Sequence, residues 1–179
     1  RLSVVQSDII WENKTRNLQH LESFLISLYS KTDLVILPEM FNTGFSMRTD
    51  ILSESPDGET FLWMKKISDL GDFGLCGSYM VLDGGKVYNQ WVFVAPGEER
   101  SIYNKRHSFS MGGEDKYFTP GKSRLVFNFR GVRICPYICY DLRFPVWSRN
   151  KNDIDLMIYA ANWPAGRKTA SCCLPRRTK

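Results

Sequence analysis

The sequence predicts an α/β or α+β layered domain, a mixed sheet with helices packed on it. Three observations carry this. Short apolar runs such as Leu34-Val35-Ile36-Leu37 and Leu156 to Ala160 read as buried strands. Segments with apolar residues at helical spacing alternate with them. Hairpin signals at Asp83-Gly84-Gly85 and Arg130-Gly131 add antiparallel pairing to a pattern otherwise suited to crossovers.

The elements follow in order. Leu2 to Gln6 is a short strand. Glu12 to Tyr29 is an amphipathic helix with Leu18, Leu21, Leu25 and Leu28 on one stripe. Leu34 to Leu37 is a strand that Pro38 ends, and Glu39 comes next. Thr60 to Leu70 is a second helix with a stripe of Phe61, Met64, Ile67 and Leu70. Gly74 to Val81 and Lys86 to Val94 form one hairpin; Arg124 to Phe129 and Val132 to Ile138 form another. Residues 104–121, polar and glycine-bearing, read as loop. Pro145 to Asn150 begins a helix. Leu156 to Ala160 is the last strand, ended by Asn162-Trp163-Pro164.

At 179 residues the chain fits one domain able to bury a real core. With 43% hydrophobic and 24% charged residues it reads as globular, and no apolar run is long enough to span a bilayer. The N-terminal residues read as strand, with no signal-peptide core, so Asn13-Lys14-Thr15 is taken as helix surface rather than a glycosylation acceptor. Five cysteines without framework spacing predict reduced thiols and a cytoplasmic location. The net charge of +5 resides at one end. Of 24 basic residues, Arg167, Lys168, Arg176, Arg177 and Lys179 lie in 167–179, where no acid stands; the other 19 balance the 19 acidic residues. The body is neutral, which argues against a nucleic-acid partner.

Three reactive residues stand just past strand ends: Glu39, Lys105 after Ile102-Tyr103, and Cys139 after Val132–Ile138. Ligand sites in α/β sheets gather there. A thiol at a strand-to-helix turn is held out of the sheet, as in a nucleophile elbow. A carboxylate, an ammonium and a thiol suit acyl transfer: the carboxylate moves protons, the thiolate attacks, and the ammonium stabilises the oxyanion. The Tyr140 N–H is a candidate second oxyanion donor. Singly, each residue has a structural reading, and Cys76 and Cys135 are read as buried hydrophobes.

The contexts resemble the nitrilase superfamily, or carbon–nitrogen hydrolases. Leu37-Pro38-Glu39-Met40-Phe41 is similar to its catalytic glutamate segment. Tyr103-Asn104-Lys105-Arg106-His107 is similar to its lysine segment, and Ile138-Cys139-Tyr140-Asp141-Leu142-Arg143-Phe144-Pro145 to its nucleophile segment. Glu114, in Glu114-Asp115-Lys116-Tyr117-Phe118-Thr119-Pro120-Gly121, resembles the second glutamate that orients the lysine. Phe41-Asn42-Thr43-Gly44-Phe45-Ser46-Met47, the run from Cys139 to Asn150, and Tyr159-Ala160-Ala161-Asn162-Trp163-Pro164 resemble the omega-amidase branch. The resemblance implies an α-β-β-α sandwich, a homodimer, a small amide substrate, and no metal or organic cofactor. It implies hydrolysis of terminal carboxamides of α-keto acids, such as 2-oxoglutaramate and 2-oxosuccinamate, through a Cys139 thioester. Arg143 is the candidate for the substrate carboxylate, against an ion pair with Asp141. Phe41 and Trp163 are candidate pocket walls. His107 suits loop positioning better than a Cys–His dyad.

The resemblance covers residues 1–166, a domain expected to be incomplete at its C-terminal side. In place of the family's Arg-Ala-x-x-Glu-Asn helix, residues 167–179 read as an atypical basic tail with Cys172-Cys173 and Pro175, as a frameshift or truncation would leave. The alternatives are a truncated, inactive member acting as a binding or assembly module, a nitrilase or carbamoylase of different specificity, or an unrelated Cys–His hydrolase.

Overall fold

A computed structural model describes residues 1–163; the expected tail at 167–179 and Pro164 lie outside the described residues. The first sheet has the order β1 (Leu2–Val4), β2 (Leu34–Ile36), β3 (Gly74–Asp83), β4 (Lys86–Val94), β5 (Ser101–Asn104). β1, β2 and β3 run parallel; β4 and β5 continue antiparallel. The second sheet has the order β6 (Phe127–Phe129), β7 (Val132–Ile138), β8 (Leu156–Ala160), with β6 antiparallel and β8 parallel to β7.

The helices are α1 (Lys14–Leu25), α2 (Thr49–Leu52) and α3 (Glu59–Gly71). Asn13 caps α1 by accepting from Arg16 N, which fixes its start two residues later than expected. Its end tightens into a 3-10 turn, Ile26–Leu28. In α3 the buried set is Thr60, Trp63, Met64, Ile67, Ser68 and Gly71, while Leu70 is exposed. The expected stripe is therefore rotated, with Trp63 facing the core instead of Leu70. A Cβ on Gly71 would come within 2.2 Å of the Phe73 ring, so glycine lets the helix end turn tightly onto β3.

Period-2 alternation builds three layers. Val35, Leu37, Leu75, Val92 and Val94 face α1 and α3, joining Leu18, Leu21, Leu25, Met64 and Ile67. Leu34, Cys76, Trp91 and Phe93 face the other way, against Phe129, Ile134, Tyr137, Ile138 and Ile158 of the second sheet. This double coverage explains the unbroken apolar run of β2. Each of these fully buried aliphatic side chains contributes about 1.5–3 kcal/mol of transfer free energy. Among the described residues the order is helices, sheet, sheet, and no helix there is long and apolar enough to cross a membrane.

Both hairpins use two-residue turns with positive φ throughout: Gly84 (55°) and Gly85 (74°), then Arg130 (49°) and Gly131 (80°). Two expectations are corrected. Residues 104–121 hold the end of β5 and two 3-10 turns, Ser110–Gly112 and Glu114–Lys116. Pro145 to Asn150 does not start a helix. The chain leaves β7 through a 3-10 turn, Cys139–Arg143, and continues in turns. Asn150 Oδ1 accepts from Asp153 N at 3.2 Å, and Asn152 has φ 64°, a local turn that competes with helical bonding.

Candidate active site

Glu39, Lys105, Glu114 and Cys139 arise from four separate segments and meet at one end of the two sheets. Glu39 lies three residues past β2 and is fully buried. Its neighbour Met40 has φ 47°, and Phe41 N donates to Ser78 O at 3.2 Å, so the chain turns sharply right after the glutamate. Lys105 follows β5; its N–H donates to Asn89 O at 3.0 Å and Gly121 N donates to its carbonyl at 2.8 Å. A Cβ at Gly121 would meet Asn104 O at 2.0 Å, so only glycine permits that closure.

Lys105 Nζ donates to Glu39 Oε1 at 2.8 Å and to Glu114 Oε2 at 2.9 Å, all three side chains being buried. Glu114 Oε2 also accepts from Phe109 N at 2.6 Å. Burial opposes the ammonium, but the two carboxylates outweigh it and hold Lys105 above its ordinary range. The lysine is therefore a fixed cation, suited to oxyanion stabilisation rather than proton exchange near neutrality.

Cys139 has φ 42°, a left-handed conformation that costs an L-residue roughly 1–2 kcal/mol. That bend carries the chain from the end of β7 into the 3-10 turn Cys139–Arg143, where a strand-to-helix elbow was expected. Burial pushes the thiol pKa up, and the nearby Glu39 charge and a hydrogen bond to Glu39 act the same way; Lys105 and the Trp163 indole oppose them. Burial and Glu39 thus favour the neutral thiol over the thiolate, with a carboxylate beside it placed to accept its proton. Trp163 Nε1 donates to Cys139 Sγ at 2.8 Å, so Trp163 touches the sulfur directly rather than serving only as a wall. The adjacent Asn162 N donates to Glu39 Oε2 at 3.3 Å.

The remaining expectations divide. Tyr140 is half-buried, its ring edge-on to Phe109 at 5.2 Å and to Phe144 at 5.6 Å. Arg143 is exposed at the end of the same turn. Asp141 does not bind it. Asp141 accepts instead from Tyr103 Oη (2.7 Å), Ile138 N (3.0 Å) and His107 N (2.9 Å), and lies 2.8 Å from His107 Nδ1. His107 thus serves to position the loop. Phe41 is not a pocket wall. It is fully buried in the helix-facing core against Trp63 and Tyr79, where the turn at Met40, past the end of β2, directs it. Besides Trp163, an aromatic ring at the site is that of Phe45, half-buried with its centroid 5.3 Å from Lys105 Nζ.

Sequence reasoning missed Asn89, Phe45 and the Asn162 N–H. Asn89 is 1% exposed in the middle of β4, and Nδ2 reaches Glu39 Oε1 at 3.0 Å and Glu114 Oε1 at 3.1 Å. Its sequence signal was slight: Asn89-Gln90 is a pair of amides interrupting the apolar residues of β4.

The model of the carbon–nitrogen hydrolase family matches residues 1–171. The chain is 40% identical over 167 residues to the omega-amidase YafV of Yersinia enterocolitica, covering 93% of this chain and 64% of the relative. It is 30% identical over 172 residues to the 2-oxoglutaramate amidase of Bacillus subtilis, covering 93% and 66%. The chain thus spans just under two thirds of the length of these relatives. The crystal structure of XC1258 from Xanthomonas campestris, a CN-hydrolase superfamily protein with an arsenic adduct in its active site, superposes with a TM-score of 0.90 at 35% identity, covering 95% of this chain and 67% of that one. Nit3 of Saccharomyces cerevisiae, a nitrilase-superfamily member, shares the fold at a TM-score of 0.78 and 23% identity, covering 92% and 65%.

Proposed function

The chain belongs to the carbon–nitrogen hydrolase family, and from this premise we propose that it hydrolyses the terminal carboxamide of small α-keto acids, releasing ammonia. 2-Oxoglutaramate is the substrate that the Bacillus subtilis relative's name gives, and 2-oxosuccinamate is its analogue one methylene shorter. The observation that carries the reading is the placement of Lys105 Nζ between Glu39 and Glu114, with Cys139 beside Glu39. Burying three charges without a chemical task is costly, which favours an enzyme over a binding module.

Glu39 takes the Cys139 proton as sulfur bonds to the amide carbon. Lys105 and the Tyr140 N–H hold the oxyanion, and Glu114 fixes Lys105. The tetrahedral adduct collapses, the C–N bond breaks, and Glu39 returns the proton to the departing ammonia. Water then attacks the thioester, giving its proton to Glu39; the C–S bond breaks and the thiol is re-formed. Arg143, exposed beside the nucleophile turn, takes the substrate carboxylate. The same reading makes the protein a homodimer, and a monomeric mass by light scattering would count against that.

The test is ammonia release across a panel of 2-oxoglutaramate, 2-oxosuccinamate, a matched nitrile and an N-carbamoyl acid. The keto-acid amides should exceed the others by at least tenfold in kcat/KM. Preference for the nitrile or carbamoyl compound would replace this specificity.

A further inference from the structure

Glu39 has a carboxylate with two oxygens and about four acceptor positions. Its Oε1 is filled: Lys105 Nζ donates at 2.8 Å and Asn89 Nδ2 at 3.0 Å. Among the described residues its Oε2 receives neither Lys105 nor Asn89 but Asn162 N, at a long 3.3 Å, and the Cys139 thiol hydrogen-bonds the same carboxylate. The two N–H bonds of Asn89 Nδ2 point to two carboxylates, Glu39 Oε1 and Glu114 Oε1. Rotating the amide would set its carbonyl against both, so the assignment is forced by charge. The backbone of the same residue accepts Lys105 N. One strand residue thereby holds both carboxylates and the backbone of Lys105.

We infer that Asn89 is a positioning residue that, with Lys105, commits Glu39 Oε1 to the buried network and leaves Oε2 as the oxygen that exchanges protons with Cys139 and water. Asn89 does not touch the reacting atoms. Without it, the carboxylate is free to rotate, so Oε1 and Oε2 compete for the lysine and the working oxygen is lost for part of the time. A neutral donor is needed. A cation would convert the network to charge balance and weaken Glu39 as a base, and an acid would add a third carboxylate beside Lys105. The charged or titratable groups facing Glu39 are Lys105, Glu114, through their shared partners, and Cys139.

This inference rests on the proposed amidase reading, and the experiment separates the two. Asn89→Leu, near in volume, is compared with wild type for kcat, KM and the pH dependence of kcat/KM on 2-oxoglutaramate, and its crystal structure is determined. The expected result is a kcat reduced about 100-fold with KM within threefold of wild type. The acid limb of kcat/KM should also move upward by about one pH unit, because the ionised carboxylates lose a donor. In the crystal, Glu39 Oε1 should leave hydrogen-bonding distance of Lys105 Nζ or the carboxylate should be rotated. A kcat within threefold of wild type, or a fall with an unmoved acid limb, overturns the inference. If Asn89→Leu does not fold, Asn89→Ser supplies the same readouts. If wild type itself turns over no amide, the functional reading fails, and the crystal structure alone decides the role of Asn89: an unmoved Glu39 carboxylate refutes it.

Discussion

Asp141 Oδ1 lies 2.8 Å from His107 Nδ1, which fastens the loop carrying Lys105 to the turn carrying Cys139. His107 N and Ile138 N both donate to Asp141, and the Tyr103 hydroxyl donates at 2.7 Å. Asp141→Asn would set an amide N–H₂ against donors in a buried site, at a cost of about 2 kcal/mol or more. Its melting temperature should fall and its kcat drop about 100-fold. His107→Asn should lose roughly tenfold or less, whereas Lys105→Met should lose at least about 1,000-fold. Steady-state kinetics and thermal melts on the three variants check this order. A lethal His107 substitution with a tolerated Lys105 one would point to a Cys–His dyad.

Phe41 and Phe45 should separate stability from specificity. Phe41→Ala empties a buried core position and should cost about 3–5 kcal/mol in denaturant unfolding. Phe45→Ala removes the ring facing Lys105 and should raise KM for 2-oxoglutaramate several-fold with little loss of stability. Interchanged phenotypes would mean that the core and the pocket have been confused.

Glu39→Gln should divide turnover from thiol reactivity. Without a base, ammonia release should fall at least about 1,000-fold. The Glu39 charge disfavours the thiolate, second only to burial, and Lys105 remains to favour it. Alkylation of Cys139 by iodoacetamide at pH 8, followed on its peptide by mass spectrometry, should therefore proceed at or above the wild-type rate. A loss of alkylation parallel to the loss of turnover would contradict this division.

Alkaline pH should destabilise the fold through its buried thiols. Burial raises the pKa of Cys76, and burial with the Glu39 charge raises that of Cys139. A raised folded pKa means stability is full below the unfolded value and declines above it. Above about pH 8.5 the unfolded chain releases thiol protons that the folded chain retains, so each such thiol adds roughly 1.4 kcal/mol per pH unit to the decline. Cys76→Ala should make that slope shallower by about this amount in urea titrations between pH 9 and 10.5. An unchanged slope would show that Cys76 ionises equally in both states.

The fold was legible where physics is local. Positive-φ turn residues at Gly84-Gly85 and Arg130-Gly131 marked both hairpins, and the two-sided run Leu34–Leu37 marked a covered strand. Glu39, Lys105 and Cys139 stood out as candidates because each follows a strand-like run, while Glu114, in a 3-10 turn away from any strand end, was picked out only by its segment's resemblance to the family. What was hidden depends on tertiary register. Asn89 is simply a polar residue in a strand until β4 and β5 place it under Lys105. Phe41 and Phe45 are indistinguishable by type, and only the turn at Met40 sends one to the core and the other to the site. Where a helix was expected from Pro145, the chain closes one turn on the Phe144 carbonyl and stops, and Asn150 closes a separate turn on Asp153 N.

The central claim is that Cys139 is the nucleophile of an amide hydrolysis, and ammonia release from 2-oxoglutaramate by wild type and Cys139→Ala tests it most directly. The account predicts turnover by wild type and a loss of at least about 10,000-fold in a folded Cys139→Ala variant. Turnover by that variant within tenfold of wild type would contradict it.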